Sequence, residues 1–242
     1  MLSKAQIKKI KLLHQKKYRD EEGLFIAEGP KIVQELLNSD FIAKEVLATN
    51  EFTPNRAGVK VENITEKELS EISVLTTPHQ VLGVFETVKS KLNIPALKQE
   101  LVLALDDIRD PGNLGTIIRI ADWFGIHHIL CSQTCVEVFN PKVVQATMGS
   151  IARVHVCYSD LVPVLKELGP VYAAVLDGKN IYSESLSSKG VILIGNESHG
   201  ISEKLLKLVT EKIAIPNFSG QAESLNAAIA SAVICSEFRR RG

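Results

Sequence analysis

The sequence predicts an α/β chain, a small α/β unit followed by a doubly wound, largely parallel α/β domain. Three observations predict it. The stretch "LVLALDD" at 101–107 is so apolar that both faces of the strand must be covered, as in a parallel sheet. From there to the end, short apolar runs alternate with segments of helical spacing. Ahead of it, "KSKLNIPALKQE" at 89–100 is polar, holds a proline and breaks the pattern, which marks a linker between residues 1–95 and residues 96–242.

The first unit reads as alternating short elements. A helix is expected over residues 4–15 and a strand over 24–27. Gly29-Pro30 starts a helix whose apolar residues Ile32, Val33, Leu36 and Leu37 recur at helical spacing. Strands at 43–48 and 59–62, a short helix at 66–72 and a strand at 81–88 complete a compact unit. In the second domain, helices are expected near 114–124, 141–146, 161–168 and 203–209, and one from Ser224 onward. Strands are expected at 128–131, 154–157, 171–175, 191–194 and 213–215.

Composition narrows the function classes. At 242 residues the chain is long enough for a substantial core, and no apolar run approaches the roughly 20 residues a membrane helix needs. The N-terminal segment is lysine-rich and amphipathic and lacks the apolar centre of a signal peptide. Cys131, Cys135, Cys157 and Cys235 form no CxxC pair and sit mostly among apolar neighbours, as reduced thiols of a cytoplasmic protein do. No metal-ligand spacing is present. The net charge is zero, yet residues 1–19 carry six lysines and one arginine and no acidic residue. A basic arm on a slightly acidic body suits a polyanion such as RNA, and equally a solvated helix face.

Ligands of open α/β sheets bind beyond the carboxyl ends of the strands. Three polar loops leave strands there: "DDIRDPGNLGTIIR", "GNESHGIS" and "PNFSGQAESLN". The first places Gly112, Asn113 and Gly115 at a helix entry, where unpaired N–H groups favour anions. Its spacing matches neither GxGxxG nor a P-loop, which speaks against a nucleotide-dependent oxidoreductase. Arg119, further along, can hold a phosphate with two parallel N–H bonds or serve as a surface or capping residue. Glu197 in the second loop suits an arginine partner, a substrate hydroxyl or a helix cap, and His199 suits a solvated loop. Ser224 in the third suits a cap for the last helix. Asn226 is a poor helix former beside the alanine run 227–232, and that run lets the helix approach other backbone closely.

Taken together, "NLGTIIRIADWFG" (113–125), "LIGNESHGIS" (193–202) and "IPNFSGQAESLNAAIASAV" (215–233) resemble the SpoU/TrmH family of RNA ribose 2′-O-methyltransferases, of the SPOUT superfamily. Residues 1–95 resemble, less specifically, the substrate-binding domain many members carry, a fold shared with small ribosomal RNA-binding proteins. The resemblance implies a trefoil-knotted C-terminal methyltransferase domain and S-adenosyl-L-methionine as cofactor. It implies cofactor contacts at Leu176, Gly195, Ile215, Ser224 and Leu225, and catalytic roles for Asn113, Arg119, Glu197 and Asn226. It further implies a homodimer, with Arg119 acting within one subunit or across the interface. The loop "NFSGQAE" is longer than in some members, which bears on RNA access. The substrate expected is RNA, ribosomal RNA ahead of tRNA, with a non-catalytic RNA-binding protein of the same fold as the alternative.

Overall fold

A computed structural model describes residues 1–88, 92–221 and 223–240. The N-terminal elements are α1 (Lys4–Leu12), α2 (Lys16–Glu22), β1 (Leu24–Glu28), α3 (Pro30–Leu37), β2 (Ala43–Ala48), β3 (Glu62–Asn63), α4 (Glu66–Ile72) and β4 (Val81–Glu86). Capping boxes start α1 at Ser3 with Gln6 and α4 at Thr65 with Glu68, each satisfying backbone donors that a helix start leaves unpaired. The helix expected over 4–15 stops at Leu12. A separate α2 follows that periodicity does not reveal, because its sequence KKYRDEE has no apolar stripe and buries only Arg19. The third strand is shorter and later than the sequence suggests.

The remaining elements are α5 (Ile94–Leu97), β5 (Leu101–Leu105), α6 (Pro111–Trp123), β6 (His128–Cys131), α7 (Pro141–Thr147), β7 (His155–Tyr158), α8 (Leu161–Leu168), β8 (Val171–Asn180), β9 (Gly190–Ile194), α9 (Glu203–Leu206), β10 (Glu211–Ala214) and α10 (Ala227–Arg240). A 3-10 turn covers Ser150–Ala152. Within the linker stretch, residues 89–91 lie outside the described residues and Ile94–Leu97 is helical.

The chain forms two compact units, Met1–Lys89 with Glu137–Arg153, and Ser90–Val136 with Val154–Gly242. In the first, the sheet order is β1-β4-β2-β3, with β4 antiparallel to both neighbours and β3 parallel to β2. The segment from residue 137 packs α7 on β1 and sets the Phe139 ring 4.6 Å from that of Phe25. Arg19, 2% exposed, grips the Glu137 carboxylate with two N–H bonds (3.1 and 2.5 Å) and donates a third to the Leu13 carbonyl (2.8 Å). A buried guanidinium is tolerated only when paired in this way.

In the second unit six parallel strands run in the order β10-β8-β9-β5-β6-β7. Every residue of β5 and β9 is buried, as a central parallel strand covered on both faces requires. Leu161, Leu165 and Leu168 of α8 pack with Val102, Leu130 and Val171 in one core cluster. Two features position the loops at the sheet's carboxyl rim. The register pairs Leu105 with Ile194, so the loops after β5 and β9 leave side by side. The β8–β10 ladder jumps from Ala173↔Lys212 to Lys179↔Ile213, so residues 174–178 leave the regular pairing there. Gly178 sits where an added Cβ would lie 2.5 Å from Ile213 backbone, which only glycine permits.

Replacing Arg19 with alanine strands the Glu137 carboxylate and is expected to cost roughly 3–5 kcal/mol of stability. Urea denaturation of Arg19→Ala against the parent checks this; an unchanged midpoint would show that the pair contributes nothing.

Candidate active site

At the carboxyl rim of the parallel sheet, all within the second unit, the three loops meet. Asp110 accepts the Asn113 N–H (2.8 Å) and Pro111 occupies the first turn, so α6 begins with Asn113 on its opening turn. The loop before it is braced from several sides. Asp106, 5% exposed, accepts the Ser202 N–H (2.8 Å). Asn196 donates to the Asp107 carbonyl (2.8 Å) and accepts from the Ser198 (2.8 Å) and His199 (3.2 Å) amides. The Cys135 thiol accepts from the Ile108 N–H and donates to the Leu105 carbonyl, both at 3.3 Å. Hydrogen bonding from the Cys131 thiol, then from Ser132 and the Ile108 N–H, draws the Cys135 thiol down to about 7 against the opposing effect of burial. Burial pushes the Asp107 carboxyl up, but hydrogen bonds from Arg109 and Thr134 outweigh it and leave the group below its usual range.

Asn113, Glu197 and Asn226 form one hydrogen-bonded chain although they come from three distant loops. Asn226 Nδ2 donates to Asn113 Oδ1 (2.8 Å), and Asn113 Nδ2 donates to Glu197 Oε1. Asn226 Oδ1 meanwhile accepts the backbone N–H groups of Ala228 (2.9 Å) and Ile229 (3.3 Å). The cap of the last helix is therefore Asn226 and not Ser224, and the helix starts at Ala227. Capping accounts for an asparagine beside an alanine run: its carbonyl oxygen starts the helix while its amide nitrogen holds Asn113. With Oε1 engaged, Glu197 Oε2 remains an acceptor on an exposed side chain.

Beside this chain lies a cavity of about 710 Å³, of the size that holds a small molecule. Leu176, Gly195, Glu197, Ile215, Ser224 and Leu225 all line it. Gly195 is a second position closed to side chains, because an added Cβ would collide with the Gly200 carbonyl carbon. Ala222, inside the third loop, lies outside the described residues. Arg119 does not join the group. It is exposed on α6, six positions beyond Asn113, and has no ion-pair or hydrogen-bond partner among the described residues. His199 lines the cavity with Nδ1 3.3 Å from Asn196 Oδ1. Sequence reasoning missed Asn196, Asp106 and Phe218. The only signal for the first two is a polar residue at the end of an all-apolar strand, directly after it for Asp106 and one glycine later for Asn196, a pattern too common to single them out.

A model of the SpoU rRNA Methylase family matches residues 100–236. The chain belongs to this family. A second model, the MRM3-like substrate binding domain, matches residues 4–83 ahead of the SpoU region. The 23S rRNA (guanosine(2553)-2′-O)-methyltransferase of Bacillus subtilis is 31% identical, over 97% of this chain and 96% of its own length. A solved TrmH-family structure from Porphyromonas gingivalis superposes with a TM-score of 0.90 at 37% identity, over 100% of both chains. The AdoMet-bound rRNA methyltransferase of Sinorhizobium meliloti superposes at 0.86 with 33% identity, over 99% of this chain and 96% of that one. The SpoU match thus spans the three loops, the cavity, helix α6 and the part of α10 that begins at the rim.

The two tasks of Asn226 are separable. Asn226→Ala removes the cap and should lower stability by about 1 kcal/mol. Asn226→Asp keeps the cap but cannot donate to Asn113, so its urea midpoint should stay near the parent's. Equal midpoints for Ala and the parent would show that the side chain does not cap the helix.

Proposed function

We propose that this SpoU-family protein methylates a ribose 2′-oxygen of ribosomal RNA with S-adenosylmethionine as methyl donor. The observation that carries the reading is the Asn113–Glu197–Asn226 chain standing beside a cavity of cofactor size. The residues present fit the cofactor. Ile194, Ile213 and Ile215 offer apolar walls to an adenosine, while Gly195 leaves bare backbone facing the space. In this reading Leu176, Gly195, Ile215, Ser224 and Leu225 hold it. The names of the Bacillus subtilis and Sinorhizobium meliloti relatives support the substrate and the cofactor.

When bound, S-adenosylmethionine would supply an electrophilic methyl group for transfer to the ribose oxygen. The chain's own residues do the rest. Glu197 Oε2 accepts the hydrogen bond of the ribose 2′-hydroxyl, so fixing its direction and taking up its proton as the oxygen is methylated, and Asn113 and Asn226 keep the carboxylate in place. Arg119 binds the neighbouring phosphate and stabilises charge developing on the oxygen. Its guanidinium stays protonated and is not a proton acceptor.

We propose a homodimer in which Arg119 of one protomer serves the cavity of its partner. Two observations support this. Arg119 stands apart from the hydrogen-bonded chain, and the packed helices α6 and α10 turn Trp123 (85% exposed) and Ile229 outward, apolar side chains that a partner would cover. A trefoil knot at the C-terminus belongs to the same reading, supported by the backbone crowding at Gly178 and Gly195. The four free, buried cysteines support a cytoplasmic setting. Lys4, Lys8, Lys9 and Lys16 are exposed within the region matched by the substrate-binding model, and we assign them to RNA phosphates.

The test is transfer of labelled methyl from S-adenosylmethionine to ribosomal RNA and tRNA from cells lacking this protein, as naked RNA and as ribosomal particles. Label on a ribose 2′-oxygen of ribosomal RNA is expected; label in tRNA alone would overturn the substrate, and no label in any sample the activity. Arg119→Ala should lower kcat by roughly 10²–10³ while calorimetry finds cofactor affinity unchanged; a matching loss of affinity would sink the assignment. Reversing the charge of Lys4, Lys8 and Lys9 should flatten the plot of log K against log salt by roughly 0.7–0.9 for each phosphate no longer neutralised. An unchanged slope would remove the basic arm from the interface.

A further inference from the structure

Phe218 is 93% exposed, yet it lines the same cavity as Glu197 and Gly195. An aromatic ring left almost wholly in water at a cavity keeps its apolar face free for a ligand to cover. The ring does not sit on a loose tip. Asn217 Oδ1 accepts from the Ser219 N–H and hydroxyl (both 3.1 Å) and from the Gly220 N–H (2.9 Å), and Ser219 Oγ accepts the Gln221 N–H (3.3 Å). The backbone beside Phe218 is therefore tied down, and the ring is presented at the rim.

We infer that Phe218 is the stacking platform for the nucleobase of the target nucleotide, an inference that rests on the ribose-methylation reading above. To bring a 2′-hydroxyl to Glu197, the nucleotide must leave its neighbours, and its base loses their stacking. An aromatic face at the mouth of the same cavity replaces that contact. Stacking is tolerant of base identity because every base has a π-face, so Phe218 contributes grip and placement rather than hydrogen-bonded readout. The adenine of the cofactor is the less suitable occupant. The buried side chains Ile194 and Ile213 (3% and 1% exposed) already wall the cavity with apolar surface for it, so it needs no further ring at the rim.

Full-length Phe218→Ala, Phe218→Leu and Phe218→Tyr are compared with the parent on ribosomal RNA from cells lacking the protein. Cofactor affinity is measured by calorimetry and mass by light scattering. The alanine and leucine variants should lose roughly 5- to 150-fold in kcat/KM for RNA, with cofactor affinity and mass unchanged, and tyrosine should restore the rate. Unchanged kcat/KM for alanine, or full activity for leucine, would overturn the inference. A parallel loss of cofactor affinity would reassign Phe218 to the cofactor, and a change in mass would reassign it to the subunit interface. If the parent itself labels no ribose, the proposed function fails and this inference with it; if the parent is active and alanine matches it, this inference alone fails.

Discussion

The register between β5 and β9 is the constraint on which the site depends. Because Leu105 lies opposite Ile194 and the Asp106 N–H bonds to the Ile194 carbonyl (2.9 Å), two chain segments 89 residues apart leave the sheet at the same height. A slip of one residue would turn the slipped strand's side chains to the opposite face and displace its loop, and close packing on both faces opposes it. Asp107 and Asn196 then lie within hydrogen-bond reach, and Asn113 on the first turn of α6 meets Glu197. The geometry of the rim is thus a consequence of core packing. Few local interactions in the loops are needed to create it, and those present hold it still.

Asn226 shows how stability and chemistry are joined in one side chain. Its oxygen accepts the backbone donors that the last helix leaves open, while its nitrogen orients Asn113. An amide does both because it carries a donor and an acceptor together. Serine could accept at the cap, but its single hydroxyl proton would have to reach across to Asn113. The small residues after it serve packing: Ala227, Ala228 and Ser231 are buried, and the Ser231 hydroxyl donates its proton to the Ala227 carbonyl (2.7 Å).

Much of the second unit is legible in the sequence because its signals are local. The apolar run at 101–105 announces a central strand, and the helical spacing after Asn113 announces α6, although that helix begins at Pro111, ahead of the expected 114–124. The three loops are legible for the same reason, since each follows a strand. Other features have no local signal. Helix α2 is charged almost throughout and exists through Arg19, whose partner Glu137 is 118 residues away. Ser224 reads as the cap because serine caps helices, and only the folded arrangement gives that role to Asn226. Nothing in the sequence singles out Phe218, because exposure is a property of the fold. Arg119 is a residue whose position in the sequence is plain and which no partner among the described residues explains.

The pairing of Arg19 with Glu137 also has a bearing on how the chain is made. The first compact unit draws on residues 137–153, so its β1 face is uncovered when residue 89 leaves the ribosome. At roughly 5–20 residues per second, the 118 residues separating Arg19 from Glu137 take about 6–24 s to synthesise. Throughout that interval the guanidinium has no carboxylate and the Phe25 ring has no Phe139 against it. The amino-terminal half of the protein is translated first, but it is completed only after β5, α6 and β6 of the other half exist as chain.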